Sequence, residues 1–242
     1  MNALKIIYAD EHMIVINKPP GISVHGGVSV SGKTLVDALL ERFPEIRTVG
    51  DEPAVRPGIV HRLDKDTSGV MVVGRTQESF ELLKNLFKTR QVQKTYLAII
   101  CGSPKQKTGV ITLPIGRLIK NPLRRGVDIP VRPGHPATRH SIIRGARDAN
   151  TEYRVLKSGH IYSLLELKPK TGRMHQLRVH LKALGTPIAC DRLYGGKQVC
   201  CPEGALRQLL HAHALSFTFN NQRFLFKTDP PEDFTIAQRL IA

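Results

Sequence analysis

The sequence predicts an α+β protein, strand-rich and carrying a few short helices. Three observations lead there. Short β-rich runs recur along the whole chain, 3.6-period apolar stripes lie between some of them, and neither an internal repeat nor a linker divides it. Its 242 residues can bury a sizeable core, expected to form a single domain over 1–242. Trp is absent and aromatics make up 5%, so that core must be mostly aliphatic.

The opening runs "LKIIYA" and "MIVINK" read as a hairpin about the turn-like "DEH". "KPPG" at 18–21 breaks regular structure, because neither proline can donate to a ladder. A short helix is predicted over 34–43, with Thr34 as N-cap and Leu35, Ala38 and Leu39 on one face. "SGVMVVGR" at 68–75 reads as a buried strand, an apolar run bounded by glycine. Thr76 can cap a helix running to about 90, with Phe80, Leu83 and Phe87 on its apolar face. "KTYLAIICG" at 94–102 is a further strand.

Residues 105–147 hold ten Lys or Arg and a single acid, Asp128. Rich in Pro and Gly as well, this segment is expected to be an extended basic arm that clamps a phosphate backbone. Strands are predicted again at "TEYRVLK" and "YSLLELKP". "TGRMHQLRVHLKALG" is helical in pattern, with Leu177, Leu181 and Leu184 as its stripe and Gly185 as its stop. Two closing strands flank "NNQ".

Lys plus Arg is 36 against 20 for Asp plus Glu, a formal net charge of +16. Such an excess attracts and steers polyanions, and nucleic acid leads among them. A membrane surface is disfavoured, since there is no long apolar run and no basic amphipathic helix. The start "MNALKIIYADEH" has no signal-peptide pattern. Cys101, Cys190, Cys200 and Cys201 do not read as a disulfide framework, so free thiols in a reducing cytoplasm are expected. With His211 and His213 nearby they raise zinc, but adjacent Cys200 and Cys201 cannot easily face one metal, and there is no CxxC.

The densest chemistry is "HRLDKDTSG", 61–69, a polar knot running straight into a predicted buried strand. Asp64 and Asp66 could hold a divalent metal as in a nuclease, one of them could be a nucleophile or general base, or both could be solvated loop charges.

The order of motifs resolves this. "DEHMIVINKPPGISVH", "HRLDKDTSGVMVV", "KTYLAII", "KPKTGRMHQLRVHLKALGTPI" and "LLHAHALSF" together resemble the RluA family of pseudouridine synthases, which modify ribosomal and transfer RNA. The resemblance implies a mixed, mainly antiparallel sheet with flanking helices and a central RNA-binding cleft. It implies an isomerase acting on uridines of rRNA or tRNA, a cytoplasmic monomer that needs no cofactor or metal and has no membrane partner. Asp64 would be the catalytic carboxylate. Tyr96 would lie against the uracil, Arg178 would pair with Asp64, and Arg62 would reach toward the displaced nucleotide or its gap. Arg173 and His175 would touch phosphate. A catalytically silent RNA-binding protein on the same fold is the alternative.

The residue types suit such a task. A uridine must leave its stack, at a few kcal/mol, before its base can turn. Tyr offers a flat apolar face with a hydroxyl, and a neighbouring Arg keeps a carboxylate ionised. Two departures stand out. The chain opens directly on the family's first strand and is read as the catalytic domain without an S4-type RNA-binding domain. The family's "GD" before "YG" reads Cys190-Asp191 here, a change that bears on substrate fit.

Overall fold

The computed structural model describes residues 4–27, 32–121, 123–128, 143–196 and 199–241. Most of the basic segment's tip, 129–142, lies outside them. In chain order the elements begin β1 (Lys5–Ala9), β2 (Met13–Lys18), α1 (Leu35–Arg42), a 3-10 turn (Pro44–Thr48), β3 (Ser68–Gly74) and α2 (Gln77–Lys88). Next come β4 (Gln93–Cys101), β5 (Thr108–Ile111), β6 (Ile115–Leu118), β7 (Arg125–Val127), β8 (Ile143–Arg147), β9 (Thr151–Ser158) and β10 (Tyr162–Pro169). The last are α3 (Gln176–Ala183), β11 (Leu210–Phe219), β12 (Gln222–Lys227) and α4 (Glu232–Arg239). They gather into two compact units, Met1–Thr95 with His211–Pro231, and Tyr96–Leu210 with Glu232–Ala242.

In the first unit β1, β2 and β3 run antiparallel in sequence order, β11 joins β3 in parallel, and β12 folds back on β11. All seven residues of β3 are buried, which explains an apolar run without alternation. Val70 and Val72 pack with Met13, Val15, Leu83 of α2 and Phe217. Both helices begin as the sequence requires. Thr34 and Thr76 each close a capping box, with Asp37 and Ser79. The buried face of α1 is Leu35, Val36 and Leu39, while Ala38 is half-buried.

Gly69 shows why β3 opens as it does. It pairs with Ala212 at φ +123°, and a Cβ there would lie 2.2 Å from the Ala212 carbonyl oxygen. Only glycine lets the two backbones come this close.

The second unit carries β4, β10, β9 and β5 in antiparallel order, and a separate small sheet in the order β7, β6, β8. Leu177 and Leu181 of α3 pack on Ala98, Ile100, Leu165 and Leu167. Leu184, predicted on that stripe, is the helix C-cap and 36% exposed. The helix starts at Gln176 because the side chain of Gln176 folds back: its Oε1 accepts from Thr171 Oγ1 and from the Arg173 N–H. The final helix α4 was not anticipated. It buries Phe234 and Ala237 against Ile99, Leu164 and Leu209.

The expectation of free thiols is overturned. Cys101 is bonded to Cys200 and Cys190 to Cys201. The main chain brings them together: Ala189 N–H donates to Ile99 O, Cys101 N–H to Pro187 O, and Cys190 N–H to Cys200 O. Spacing along the chain hid this, because the first pair is 99 residues apart. The argument from thiols to a reducing compartment falls with it, and sulfurs held in disulfides are not zinc thiolates.

Candidate active site

In the first unit, the "HRLDKDTSG" segment enters from Ile59, which bridges to Val73. Its residues alternate in exposure. Leu63 is buried, Arg62 is exposed, and Asp64 is half-buried. The ring of His61 stacks on Phe87, 4.4 Å between centroids. Val72 N–H donates to His61 Nε2 at 3.1 Å, so this nitrogen must be unprotonated. Burial, then the nearby Lys94 charge, push the His61 pKa down to about 3. Burial, then Arg90, lower that of Lys94 to about 8.

After Asp64 the chain turns, with Thr67 N–H donating to Asp64 O. The turn is tied down from an unexpected side. Lys18 is 0% exposed, and its Nζ donates to the carbonyls of Pro19, Ile22 and Lys65 at 2.8, 2.9 and 2.8 Å. Gly21 N–H also donates to Lys65 O. The "KPPG" motif is therefore a buried cation wrapped in carbonyls, and it fixes the residue next to Asp64.

The strand that follows is fixed as well. Ser68 Oγ lies 3.0 Å from His211 Nδ1, and His211 Nε2 lies 3.0 Å from Thr228 O. A carbonyl can only accept, so Nε2 carries the proton and Ser68 donates to Nδ1. Arg62 is 3.2 Å from His25 Nε2 through Nη1, and His25 Nδ1 is 2.8 Å from Gly26 O. Two long cationic or polar side chains thus stand together where the loop is open.

In the second unit the centre is Arg178. It is 6% exposed, and Asp191 is 0% exposed. Arg178 Nε donates to Asp191 Oδ2 and Nη2 to Oδ1. Asp191 Oδ1 also accepts the N–H groups of Leu193 and Tyr194, at 3.0 Å each. The Tyr194 ring lies 5.0 Å from the Arg178 guanidinium and 5.6 Å from that of Arg124. Its hydroxyl is 2.8 Å from His175 Nδ1 and accepts from Arg125 N–H. Arg124 Nη2 donates to Leu193 O.

The predicted residues are thus distributed. Asp64 and Arg62 lie on the loop before β3. Tyr96 lies on β4, half-buried at the edge of a core cluster and opposite Leu167. Arg173 donates through Nε to Asp148 O and stands apart from Arg178 on the turn before α3. His175 is a left-handed N-cap at φ 57°. Lys18, Asp191, Tyr194, Gln176 and His211 were missed as supports. Signals existed for two of them: Lys18 begins the "KPPG" break, and Asp191 belongs to the departed "GD" position.

The family model described as RNA pseudouridylate synthase matches residues 12–183, and the chain belongs to that family. An uncharacterized RNA pseudouridine synthase of Synechocystis is 40% identical over 216 residues, covering 88% of this chain and 61% of that protein. A ribosomal large subunit pseudouridine synthase D of Nitrosomonas europaea is 38% identical over 249 residues, covering 98% and 65%. The chain therefore spans less than two thirds of the length of these relatives. Among solved structures, human RNA pseudouridylate synthase domain containing 4 superposes with TM-score 0.76 at 29% identity, covering 97% of this chain and 92% of that one. Human RNA pseudouridylate synthase domain containing 1 gives 0.73 at 28%, covering 94% and 84%.

Proposed function

We propose that this chain isomerises specific uridines of ribosomal or transfer RNA to pseudouridine, with Asp64 as the reacting carboxylate. The observation that carries this reading is the seat of the Asp64 turn. Lys18 and Gly21 both hold Lys65 O, so a half-buried carboxylate stands on a rigid support inside the region that the family model matches. The reaction breaks the C1′–N1 bond, turns the base, joins C5 to C1′ and expels the C5 hydrogen. Asp64 adds to ribose or base, or takes a sugar proton. Tyr96 gives the uracil an apolar face, Arg178 pairs with the Asp64 carboxylate, and Arg173 and His175 touch phosphate. Arg62 follows the flipped nucleotide or fills its gap, recovering part of the unstacking cost. The relatives named for the ribosomal large subunit favour rRNA in the cytoplasm as the working setting. Disulfides do not forbid that compartment, since they occur inside hyperthermophilic cells.

The test uses RNA tritiated at uracil C5. The wild-type chain should release tritium to water, Asp64→Asn should release none while still binding RNA, and Asp66→Asn should keep a substantial fraction. Release by Asp64→Asn, or loss in Asp66→Asn alone, would overturn the assignment. RNA binding without release by the wild type would favour the silent RNA-binding protein.

A further inference from the structure

Cys190 stands where the backbone favours glycine. Its φ is 59°, left-handed, and a residue with a Cβ is strained there. Two contacts hold it in place. Its N–H donates to Cys200 O at 2.9 Å, and its sulfur is bonded to Cys201. The next residue is Asp191, whose carboxylate takes both Arg178 bonds and the N–H groups of Leu193 and Tyr194. The Asp191 carbonyl also accepts Gly195 N–H. The turn that seats Arg178 therefore starts from a strained residue fastened by a disulfide. The two ends of that bond differ in access. Cys190 is 3% exposed, whereas Cys201 is open to solvent. Both sulfur-bearing residues of the other bond, Cys101 and Cys200, are half-buried.

We infer that Cys201 is a thiol-exchange site, which takes a low-molecular-weight thiol and so unlatches the Asp191 turn. An incoming thiolate attacks Cys201 Sγ, the accessible end. A new S–S bond forms there as the Cys190–Cys201 bond breaks. The electron pair leaves on Cys190 Sγ, and this thiolate takes a proton from water. The incoming sulfur is oxidised and the Cys190 sulfur reduced, so the step needs no further oxidant. The net charge of +16 draws an anionic thiol such as glutathione. Once freed, Cys190 can leave the left-handed region, and the change passes to Asp191 beside it. Asp191 is 0% exposed and held at both oxygens, so it absorbs the change by opening its bonds to the Leu193 and Tyr194 N–H groups. Reclosing the bond requires Cys190 to return to the strained conformation, which favours the adduct. Through Arg178 the exchange reaches the candidate active site, a consequence that rests on the isomerase reading.

The test incubates the full native chain with a series of reduced glutathione concentrations. Adducts and free thiols are mapped by peptide mass spectrometry after acid quenching and alkylation, and amide hydrogen exchange is followed on the same samples. One glutathione should appear on Cys201 with Cys190 alkylated, while Cys101–Cys200 stays closed. The Leu193, Tyr194 and Gly195 amides should exchange about tenfold faster, the scale set by one left-handed residue, with the β9 and β10 amides unchanged. Cys190→Gly removes the bond but suits the left-handed backbone, so those three amides should stay near wild-type protection and ignore glutathione. Cys190→Ala removes the bond and keeps the strain, so they should exchange about tenfold faster than in Cys190→Gly with no thiol added. No adduct at concentrations that leave the circular dichroism unchanged would overturn the inference, as would a first adduct on Cys101 or Cys200. An adduct on Cys201 with unchanged amide exchange, or equal exchange in the two variants, would overturn the unlatching. Neither readout uses RNA, so both decide the site whether or not the chain releases tritium from uridine.

Discussion

Arg178 and Asp191 form a two-point ion pair buried within the second unit, Nε to Oδ2 at 2.8 Å and Nη2 to Oδ1 at 2.9 Å. Such a pair contributes little against an apolar replacement, but breaking it leaves one charge stranded. Asp191→Ala should therefore cost about 3–5 kcal/mol in urea unfolding. Arg178→Met combined with Asp191→Leu should recover much of that loss. A double variant as unstable as the single one would show that the Leu193 and Tyr194 turn, rather than the stranded guanidinium, is the source.

Lys18→Met should be costly for a different reason. The thioether fills similar space but leaves the Pro19, Ile22 and Lys65 carbonyls without their donor. Each buried group left unsatisfied costs about 1–3 kcal/mol, less where water enters. We expect a loss of about 3 kcal/mol or more by chemical denaturation. Tritium release should drop further than RNA affinity, because the Asp64 turn loosens. Equal losses in both would place Lys18 in general stability alone.

His61 sets a pH dependence whose sign is fixed. Its pKa is lowered to about 3 in the fold, whereas an unfolded histidine titrates near about 6.5. Between these values the unfolded chain holds a proton that the folded chain refuses. Stability from this group is complete above about pH 6.5 and is lost as pH falls toward 3, by at most about 1.4 kcal/mol per pH unit. His61→Gln keeps an acceptor for Val72 N–H and does not titrate. Its stability should fall less steeply than the wild type from pH 6.5 to 4, measured by urea unfolding at each pH. Parallel curves would mean that His61 takes up its proton in the fold at the same pH as in the unfolded chain.

The disulfides should be visible as missing thiols. Native protein should give no reaction with a thiol reagent until it is reduced. On the chain-entropy account, opening Cys101–Cys200, separated by 99 residues, should cost about 4–5 kcal/mol. Opening Cys190–Cys201, separated by 11, should cost about 3 kcal/mol. Cys101→Ala and Cys190→Ala, compared by denaturation, check the order. Four titratable thiols in the native protein would overturn both bonds.

Much of the fold is written in local sequence. Thr34 and Thr76 announce their helices because a cap needs only the next three residues, and both cap as expected, each closing a box with the third helical residue. The apolar run from Val70 to Val73 reads as a buried strand because a strand covered on both faces has no polar alternation. The short α4 escaped notice, since only Phe234 and Ala237 of its eight residues are buried. The order of five motifs pointed to the family, and the match over residues 12–183 agrees.

What the sequence by itself determined, then, is what neighbours along the chain can decide: caps, strand runs, the charge that suits a polyanion, and the motif order. Tertiary structure decided the pairings between distant residues. Lys18 meets Lys65 O across 47 residues, Ser68 meets His211 across 143, and Cys101 meets Cys200 across 99. Arg178 meets Asp191 only because the chain after α3 folds back on that helix, 13 residues on. These contacts depend on which elements the packed core brings together, and a buried cation, carboxylate or thiol looks in sequence like any exposed one until its partner has arrived.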